Sequence, residues 1–190
     1  MTAAMPPPLR ISAGGSAVAE HLFEPVCALY DEVFSQPPFR WTDDESQHHR
    51  DLLRSLMKEA SFGIVVAESA DQLAGFAYGY QLKPETQWWQ NFTEPLPEDV
   101  AREWPGRTFA LIDLAVHRTR RGQGLGRRLT ETLLTGRREQ RATLSVQPTA
   151  TDTQAFYLHL GWRKIGRKQM PPGIVSPFFD VYVMDLQPQP

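Results

Sequence analysis

The chain has 190 residues, of which 41% are hydrophobic, and this length and composition suit one globular domain with one core. The formal net charge of -2 gives no reason to expect a polyanionic partner, so nucleic-acid binding is not expected. The lone cysteine excludes an internal disulfide and a cysteine-rich zinc site. No apolar stretch approaches the length of a membrane span, and the N-terminus lacks an apolar signal region, so we expect a cytoplasmic protein without a membrane partner.

The first half of the sequence predicts a loose tail, one strand, two helices and a β-hairpin. Pro25 interrupts the apolar pattern of the first helix, which therefore either kinks or begins there. Thr42 and Glu45 have capping-box spacing, which predicts that the second helix begins there. A single domain of residues 9–190 follows a flexible tail of residues 1–8. Within it we predict a strand at 9–13, helices at 16–34 and 42–58, and hairpin arms at 62–69 and 72–82 joined at Ala70-Asp71.

The second half alternates strands and helices after a long irregular segment. Residues 83–106 are rich in proline, tryptophan and acids, with only a helical turn or two expected from about residue 98. The near-continuous apolar run 108–117 predicts a central strand covered on both faces. Beyond it we predict a helix ending near Arg138, a strand at 142–148, a helix at 152–160 and strands at 162–170 and 178–186. This order indicates an α/β domain built around a mixed sheet.

The stretch RRGQGLGRRL, residues 120–129, lies between the central strand and the next helix. A helix N-terminus presents unpaired backbone N–H groups and the positive end of the helix dipole, so it attracts phosphate. Glycine lets the backbone approach the phosphate oxygens without a Cβ in the way, and arginine adds charge-assisted donors. The sequence therefore predicts a phosphate cradle made by Gly122, Gly124 and Gly126 with Arg121 and Arg127 beside them.

Spacing decides which phosphate ligand fits this cradle. A dinucleotide fingerprint needs a third glycine where this chain has Arg127, and a Walker A loop needs a Gly-Lys-Ser/Thr end that is absent. The pattern present is Arg121-x-x-Gly124-x-Gly126 after a strand ending at Val116. It closely resembles the acetyl-CoA signature of the GNAT superfamily of N-acetyltransferases.

A second motif strengthens this resemblance. Ala155-Phe156-Tyr157, followed by Gly161-Trp162, is similar to the family's A-x-x-F-Y-x-x-x-G-F/W run, whose alanine position is Thr153 here. The resemblance extends over 9–186 in element order and is motif-specific only from about 108 to 163. It implies the α/β GNAT fold, a mixed central sheet of about six to seven strands flanked by about four helices. The central strands, 108–117 and the strand containing 144–146, are expected to splay apart and admit the cofactor.

The resemblance also implies where acetyl-CoA binds. The pyrophosphate would lie on the loop N–H groups, and the pantetheine arm would bond along the preceding strand like an extra strand. The cofactor-binding residues implied in this way are Leu114, Ala115, Val116, Arg121, Gly122, Gln123, Gly124, Leu125, Gly126 and Arg127. For Arg118, Arg120 and Arg128, a contact to the 3′-phosphate and a solvated basic face are equally good interpretations.

Acetyl transfer needs an uncharged amine and a proton for the leaving thiolate. Tyr157 matches the position where many family members place a tyrosine near the sulfur, and a phenol can protonate a thiolate. The alternative for Tyr157 is simple packing beside Phe156. Asp113, in the cofactor strand, is the best-placed acid to serve as a base or water relay, although an ion pair or surface charge is the alternative. Glu68, His117 and Asp180 are weaker candidates.

In this architecture the acceptor enters opposite the cofactor, between the loop joining the first two helices and the segment before the central strand. The candidate substrate residues there are Phe39, Trp41, Tyr80 and Trp88. They would form an aromatic wall suited to an aromatic or cationic amine, or alternatively a small satellite core under a long loop. The adjacent histidines His48-His49 have a poor spacing for a metal, and no metal is expected.

The leading functional hypothesis is acetyl transfer from acetyl-CoA to a small-molecule amine by direct attack in a ternary complex. Peptide or protein N-acetylation is the alternative within enzymes. A CoA-binding regulatory module without turnover is the alternative from another class. The expected partner is a small-molecule amine acceptor, and a homodimer is possible.

Overall fold

The structure is a computed structural model that describes residues 8–70 and 72–186. The first half contains β1 (Leu9–Gly14), α1 (Ser16–His21), α2 (Phe23–Phe34), α3 (Asp43–Leu56), β2 (Gly63–Ser69) and β3 (Gln72–Gln81). The second half contains α4 (Glu98–Ala101), β4 (Thr108–Val116), α5 (Leu125–Leu134), β5 (Arg141–Val146), α6 (Thr151–His159), β6 (Arg163–Gln169) and β7 (Phe178–Asp185). A 3-10 turn at Arg118–Arg120 joins β4 to the glycine segment.

The first predicted helix is two helices, and the second of them begins within two residues of Pro25, in agreement with the predicted helix start there. The chain breaks at Leu22, whose backbone angles are φ -104° and ψ 17°, and α2 begins at Phe23. Pro25 then lies in the first turn of α2, where a missing N–H costs no intrahelical hydrogen bond. This break and the single turn of α4 give six described helices rather than about four. Of the predicted tail, residues 1–7 lie outside the described residues, as does Asp71 of the predicted turn.

The other helix boundaries agree with the prediction to within a few residues. The capping box forms as predicted, since the Glu45 carboxylate accepts a hydrogen bond from the backbone N–H of Thr42 at 2.8 Å. Helix α5 ends at Leu134, earlier than predicted, because Thr135 is already extended and Gly136 takes a positive φ of 77°.

The seven strands form one mixed sheet in the order β1-β2-β3-β4-β5-β7-β6. All neighbouring strands are antiparallel except β4 and β5, which are parallel. These two central strands pair over only three residues each, Thr108–Ala110 of β4 and Arg141–Thr143 of β5. Beyond Ala110 and Thr143 the pairing ends, so the predicted splay of the central strands is confirmed.

Each face of the sheet carries its own part of the core. On one face, called the α2 face here, Phe76 and Tyr78 of β3 pack with α2 and α3. On the opposite face, called the α5 face, Leu129 and its neighbours pack with residues of β4, β5 and α6. Segment 83–106 covers the α2 face over the other half of the sheet, where Trp89 packs in a third small cluster.

A buried polar group anchors segment 83–106. The Glu103 carboxylate accepts hydrogen bonds from Trp89 Nε1 at 2.9 Å and Thr108 Oγ1 at 2.8 Å, and it pairs with Arg141 at 3.6 Å. The guanidinium of Arg141 also lies over the Trp89 ring, 4.5 Å from its centroid. A segment without sequence periodicity is thus fixed by side-chain contacts to β4 and β5.

Strand β4 contains one extra residue relative to β3. Tyr78 pairs with Asp113 and Gly79 pairs with Leu111, which leaves Ile112 as a bulge. A Cβ at Gly79 would meet the Ala110 carbonyl oxygen at 2.1 Å, so only glycine permits this close approach. Because successive strand residues otherwise alternate between faces, the extra residue lets Ile112 and Asp113 lie on the same face, the α2 face.

Candidate active site

The glycine segment lies at the N-terminus of α5, where the sequence predicts a phosphate cradle. Gly124 is the N-cap residue and has a left-handed φ of 75°, which glycine adopts without strain. Within the described chain, the backbone N–H groups of residues 122–127 donate no hydrogen bond. Six consecutive free donors at the positive end of a helix can bind a phosphoryl group.

The two flanking arginines have different partners. Arg121 Nε donates to the carbonyl oxygen of Val116 at 3.2 Å, which ties the loop to the end of β4. Arg127 Nε lies 2.6 Å from Glu131 Oε1, one turn further along α5. Both side chains are exposed, as are Gly122, Gln123 and Gly124. The predicted loop residues therefore lie together on an accessible surface, but Arg127 already has a carboxylate partner.

Residues Leu114, Ala115 and Val116 form the last part of β4, beyond its pairing with β5. Their partners in the sheet are Ala77, Phe76 and Gly75 of β3, so the β5-facing edge of this stretch carries no strand pairing. The side chains of Leu114 and Val116 pack towards the α5 face, whereas Ala115 is buried on the α2 face. An extended ligand can lie along this open edge, which leads directly to the glycine loop.

Asp113 projects from the splayed part of β4 into a mostly buried position, with 12% of its side chain exposed. The Tyr78 hydroxyl donates a hydrogen bond to Oδ2. Oδ1 accepts no hydrogen bond from the described residues. Burial raises the pKa of Asp113 from 3.8 to about 6, although the hydrogen bond from Tyr78 lowers it in part. The carboxylate therefore has one anchored oxygen and one oxygen available to a ligand, and it is ionised at neutral pH.

His49 also reaches this carboxylate, from α3. Its Nε2 lies 3.9 Å from Asp113 Oδ2, and its ring stacks on Tyr30 with centroids 3.5 Å apart. His49 is 1% exposed, and burial lowers the pKa of its imidazole to about 3, so the ring is neutral. From the sequence, His49 is weighed only as a metal ligand. Its proximity to Asp113 depends on long-range packing of α3 on the sheet, which the sequence pattern does not predict.

Tyr157 lies on α6 and is 4% exposed. Its ring packs edge-on against Phe156 and Trp162, with centroids 5.0 and 5.7 Å away. The hydroxyl has no hydrogen-bond partner in the part of the chain that the structure describes. Burial, and then the charge of Asp113, raise the pKa of the phenol above its usual value. Tyr157 therefore stays protonated, and it lies close enough to Asp113 across the splay to interact with its charge.

The weaker candidate bases have partners of their own. Asp180 is 1% exposed and accepts hydrogen bonds from Arg167 at 2.7 Å and Lys164 at 2.8 Å. Burial raises the pKa of Asp180, but these two cations outweigh burial and lower it below its usual value. His117 lies 3.3 Å from Glu32 and 2.8 Å from Thr119. Both groups thus have structural ion-pair or hydrogen-bond contacts.

The four predicted substrate residues fall into two pairs. Phe39 and Trp41, in the α2–α3 loop, lie 6.0 Å apart and surround the ring of Phe34. Tyr80 and Trp88 pack on the cluster under segment 83–106, where Trp88 Nε1 donates to Thr143 Oγ1 at 3.1 Å. All four are half-buried.

Ile112 links these two pairs. It packs both against the cluster that contacts Phe39 and Trp41 and against the cluster that contacts Tyr80 and Trp88. The clusters on which the two aromatic pairs pack therefore meet at the bulge. The loop between β6 and β7 also comes near the start of α3, where the backbone of Val175 interacts with the Glu45 carboxylate.

Two further findings concern other classes of site. In residues 8–70 and 72–186, no group of three or more His, Cys, Asp or Glu side chains is arranged to hold a metal ion. Among the described helices, none has the length and apolar composition of a membrane span.

Comparison with known proteins identifies the family. The sequence profile of the acetyltransferase (GNAT) family matches residues 26–162. No curated protein has a significant match to the chain. A solved GNAT-family protein from Desulfovibrio desulfuricans has a TM-score of 0.65 at 16% identity, over 95% of this chain and 100% of that chain.

Two enzymes with named acceptors have the same fold. Aminoglycoside 6'-acetyltransferase type Ii has a TM-score of 0.65 at 17% identity, over 95% of this chain and 99% of that one. The ribosomal-protein-S18-alanine N-acetyltransferase of Escherichia coli has a TM-score of 0.61 at 14% identity, over 96% and 97% of the two chains. At these low identities the structural matches show only that the fold is shared. The family profile, however, covers well over half of the sequence. The chain belongs to the acetyltransferase (GNAT) family and is an N-acetyltransferase.

Proposed function

We propose that this protein transfers an acetyl group from acetyl-CoA to a primary amine of a small molecule, by direct attack in a ternary complex. The observation that carries the proposal is the position of Asp113. Asp113 projects from the splayed part of β4 on the α2 face, and its Oδ1 accepts no hydrogen bond from the described residues. The strand that carries it ends at the glycine cradle.

The residues present fit acetyl-CoA. The free N–H groups of residues 122–127 suit the pyrophosphate, with Arg121 and Arg127 beside them. The open edge of β4 at Leu114, Ala115 and Val116 suits the amide groups of the pantetheine arm. When bound, acetyl-CoA supplies a thioester carbonyl that an uncharged amine attacks. The absence of a side chain at Gly124 keeps the approach to these donors open.

Asp113 would act as the base. An alkyl amine is mostly protonated at pH 7, so a group must remove a proton before the nitrogen can attack. A carboxylate with a pKa of about 6 is ionised at pH 7 yet is more basic than an exposed aspartate. The proton would move to Oδ1, because Oδ2 is held by the Tyr78 hydroxyl.

Tyr157 would act as the proton donor to the departing thiolate. Its raised pKa keeps the phenol protonated at neutral pH, and its hydroxyl forms no hydrogen bond to the described residues that would compete for the proton. The position of Tyr157 on the α5 face and of Asp113 on the α2 face places the two groups on opposite sides of the splay. Acid and base roles are thereby separated.

The surroundings of Asp113 support a small, cationic acceptor. Tyr78 contacts the carboxylate, Tyr30 and Tyr157 interact with its charge, and aromatic rings bind cations through their faces. The carboxylate is mostly buried, with 12% of its side chain exposed, which suits a small acceptor better than a long chain. The alternative is acetylation of a peptide N-terminus, and the assay must distinguish it from acetylation of a small-molecule amine.

The first test is ligand-dependent stability followed by turnover. Acetyl-CoA and CoA at about 100 times the dissociation constant should add about 2.7 kcal/mol, or about 5–10 °C in the unfolding midpoint, whereas NAD should not. Thiol release should then be measured with a panel of small primary amines and with a short peptide that begins with alanine. No shift with either CoA ligand would contradict the proposal. Turnover on the peptide alone would show that the acceptor is a peptide N-terminus and not a small-molecule amine.

A further inference from the structure

The imidazole of His49 is an unsatisfied polar group in the core. Neither Nδ1 nor Nε2 has a hydrogen-bond partner among the described residues, and both atoms are buried. A neutral imidazole always carries one N–H donor, and leaving a buried donor unpaired costs about 1–3 kcal/mol. An apolar ring of similar size would pack on Tyr30 without that cost. The polar ring at this position therefore calls for a functional explanation.

The one anionic group within reach of His49 in the described chain is Asp113. Nε2 lies 3.9 Å from Oδ2, about 1 Å beyond an ordinary N–H···O hydrogen bond. Catalytic hydrogen bonds are often long in a free enzyme and shorten when the ligands bind. The Tyr30 ring, stacked at 3.5 Å with the two planes 9° apart, fixes the plane of the imidazole.

We propose that His49 is a positioning residue, whose neutral imidazole presents Nε2–H to Oδ2 of Asp113 and holds the carboxylate with Oδ1 free for the amine. This inference rests on the proposed function of Asp113 as the base. Oδ2 then receives two donors, the Tyr78 hydroxyl and the His49 imidazole. The carboxylate cannot rotate to exchange its oxygens without losing both donors.

The proton step served by this arrangement is simple. An N–H bond of the ammonium acceptor breaks, an O–H bond forms at Oδ1, and the electron pair stays on the nitrogen. His49 neither gains nor loses a proton in this step, because burial and the charges of its helix neighbours keep the pKa of the imidazole near 3. Its N–H stabilises the charged form of Asp113 and so offsets part of the effect of burial.

Several titratable groups surround His49 and Asp113 and can affect the pH dependence of this pair. Asp113 interacts with groups on four elements packed around it. The charges of two neighbours on α3 also lower the pKa of His49. These groups are Tyr30 of α2, His48 and Arg50 of α3, Tyr78 of β3 and Tyr157 of α6. Burial raises the pKa of each of the three tyrosines, so they remain neutral over the range in which Asp113 titrates.

Two substitutions separate positioning from packing. His49→Phe keeps a planar ring on Tyr30 but has no N–H, whereas His49→Gln keeps an N–H donor. In the His49→Phe variant, the acidic limb of kcat/KM against pH should move up by about one pH unit, because the charged form of Asp113 has lost a donor. His49→Gln should restore most of the wild-type profile. CoA affinity, measured by calorimetry, should be equal in all three proteins.

An unchanged profile in His49→Phe would show that His49 only packs, and the inference would be wrong. The wild-type protein supplies a test that needs neither a variant nor turnover. Imidazole 15N spectra should show a neutral His49 with the proton on Nε2 from about pH 5 to 8, and the Asp113 carboxyl 13C signal should titrate in the same sample. A proton on Nδ1 would overturn the inference. Absence of acetyl transfer in the wild-type protein would instead refute the proposed function.

Discussion

Replacing the candidate base by its neutral isostere, Asp113→Asn, should make the protein more stable while it removes activity. Burial raises the pKa of Asp113 from 3.8 to about 6 in the folded protein. A raised pKa in an acid means that ionisation destabilises the fold, so stability is lost as the pH rises from about 4 to 6. The difference of about two pH units corresponds to about 3 kcal/mol above pH 6. Asparagine removes this penalty and can still accept from Tyr78.

The assay is denaturant unfolding at a series of pH values. The variant should be more stable than the wild type by about 3 kcal/mol at pH 7.5, or about 6–12 °C in the melting midpoint. The two proteins should be nearly equal at pH 4, where Asp113 is largely protonated. Glu94→Gln removes an exposed carboxylate and should show no such dependence. A variant that is less stable at pH 7.5, or a gain that is the same at every pH, would refute the reasoning.

Three other substitutions test the cradle, the acid and the anchor of segment 83–106. Gly124→Glu should weaken CoA binding by more than about 100-fold in calorimetry, while Gly136→Glu, at a glycine with a similar positive φ outside the cradle, should leave binding intact. Tyr157→Phe should lower kcat by about 10- to 100-fold with unchanged CoA affinity, and the control Tyr182→Phe, which loses a hydrogen bond to a glutamine, should lower stability only. Equal turnover in both tyrosine variants would make Tyr157 structural. Glu103→Gln should cost about 3 kcal/mol in denaturant unfolding because it leaves the buried arginine uncompensated, and a cost below about 1 kcal/mol would contradict that role.

The local parts of the fold could be predicted from sequence because they depend on local chemistry. The apolar runs around Phe109 and Phe178 predict strands whose bounds agree with the structure to within one or two residues. The Thr42–Glu45 capping box and the helix start after Gly124 depend on residues a few positions apart. The splay is an expectation from the family resemblance rather than from any residue pattern, and the structure confirms it.

The rest depends on contacts between distant parts of the chain. The bulge at Ile112 results from the close pairing of β3 and β4 at Gly79, and no sequence pattern within β4 predicts it. His49 reaches Asp113 only because α3 packs on the same face of the sheet. Val175 reaches Glu45 through a loop that contributes no periodic pattern. Sequence reasoning therefore singles out Asp113 and the glycine segment, but not the distant residues that lie against Asp113.

The bulge at Ile112 has a consequence for how this protein tolerates change. Leu111 faces α5 and Asp113 faces α2, so these two residues would already alternate as a regular strand requires if Ile112 were absent. Deleting Ile112 should therefore remove the bulge and leave Asp113, Leu114 and Val116 on their present faces. The bulge thus supplies the packing of Ile112 on its two clusters, and both substitution and loss of that residue should spare the direction of the carboxylate.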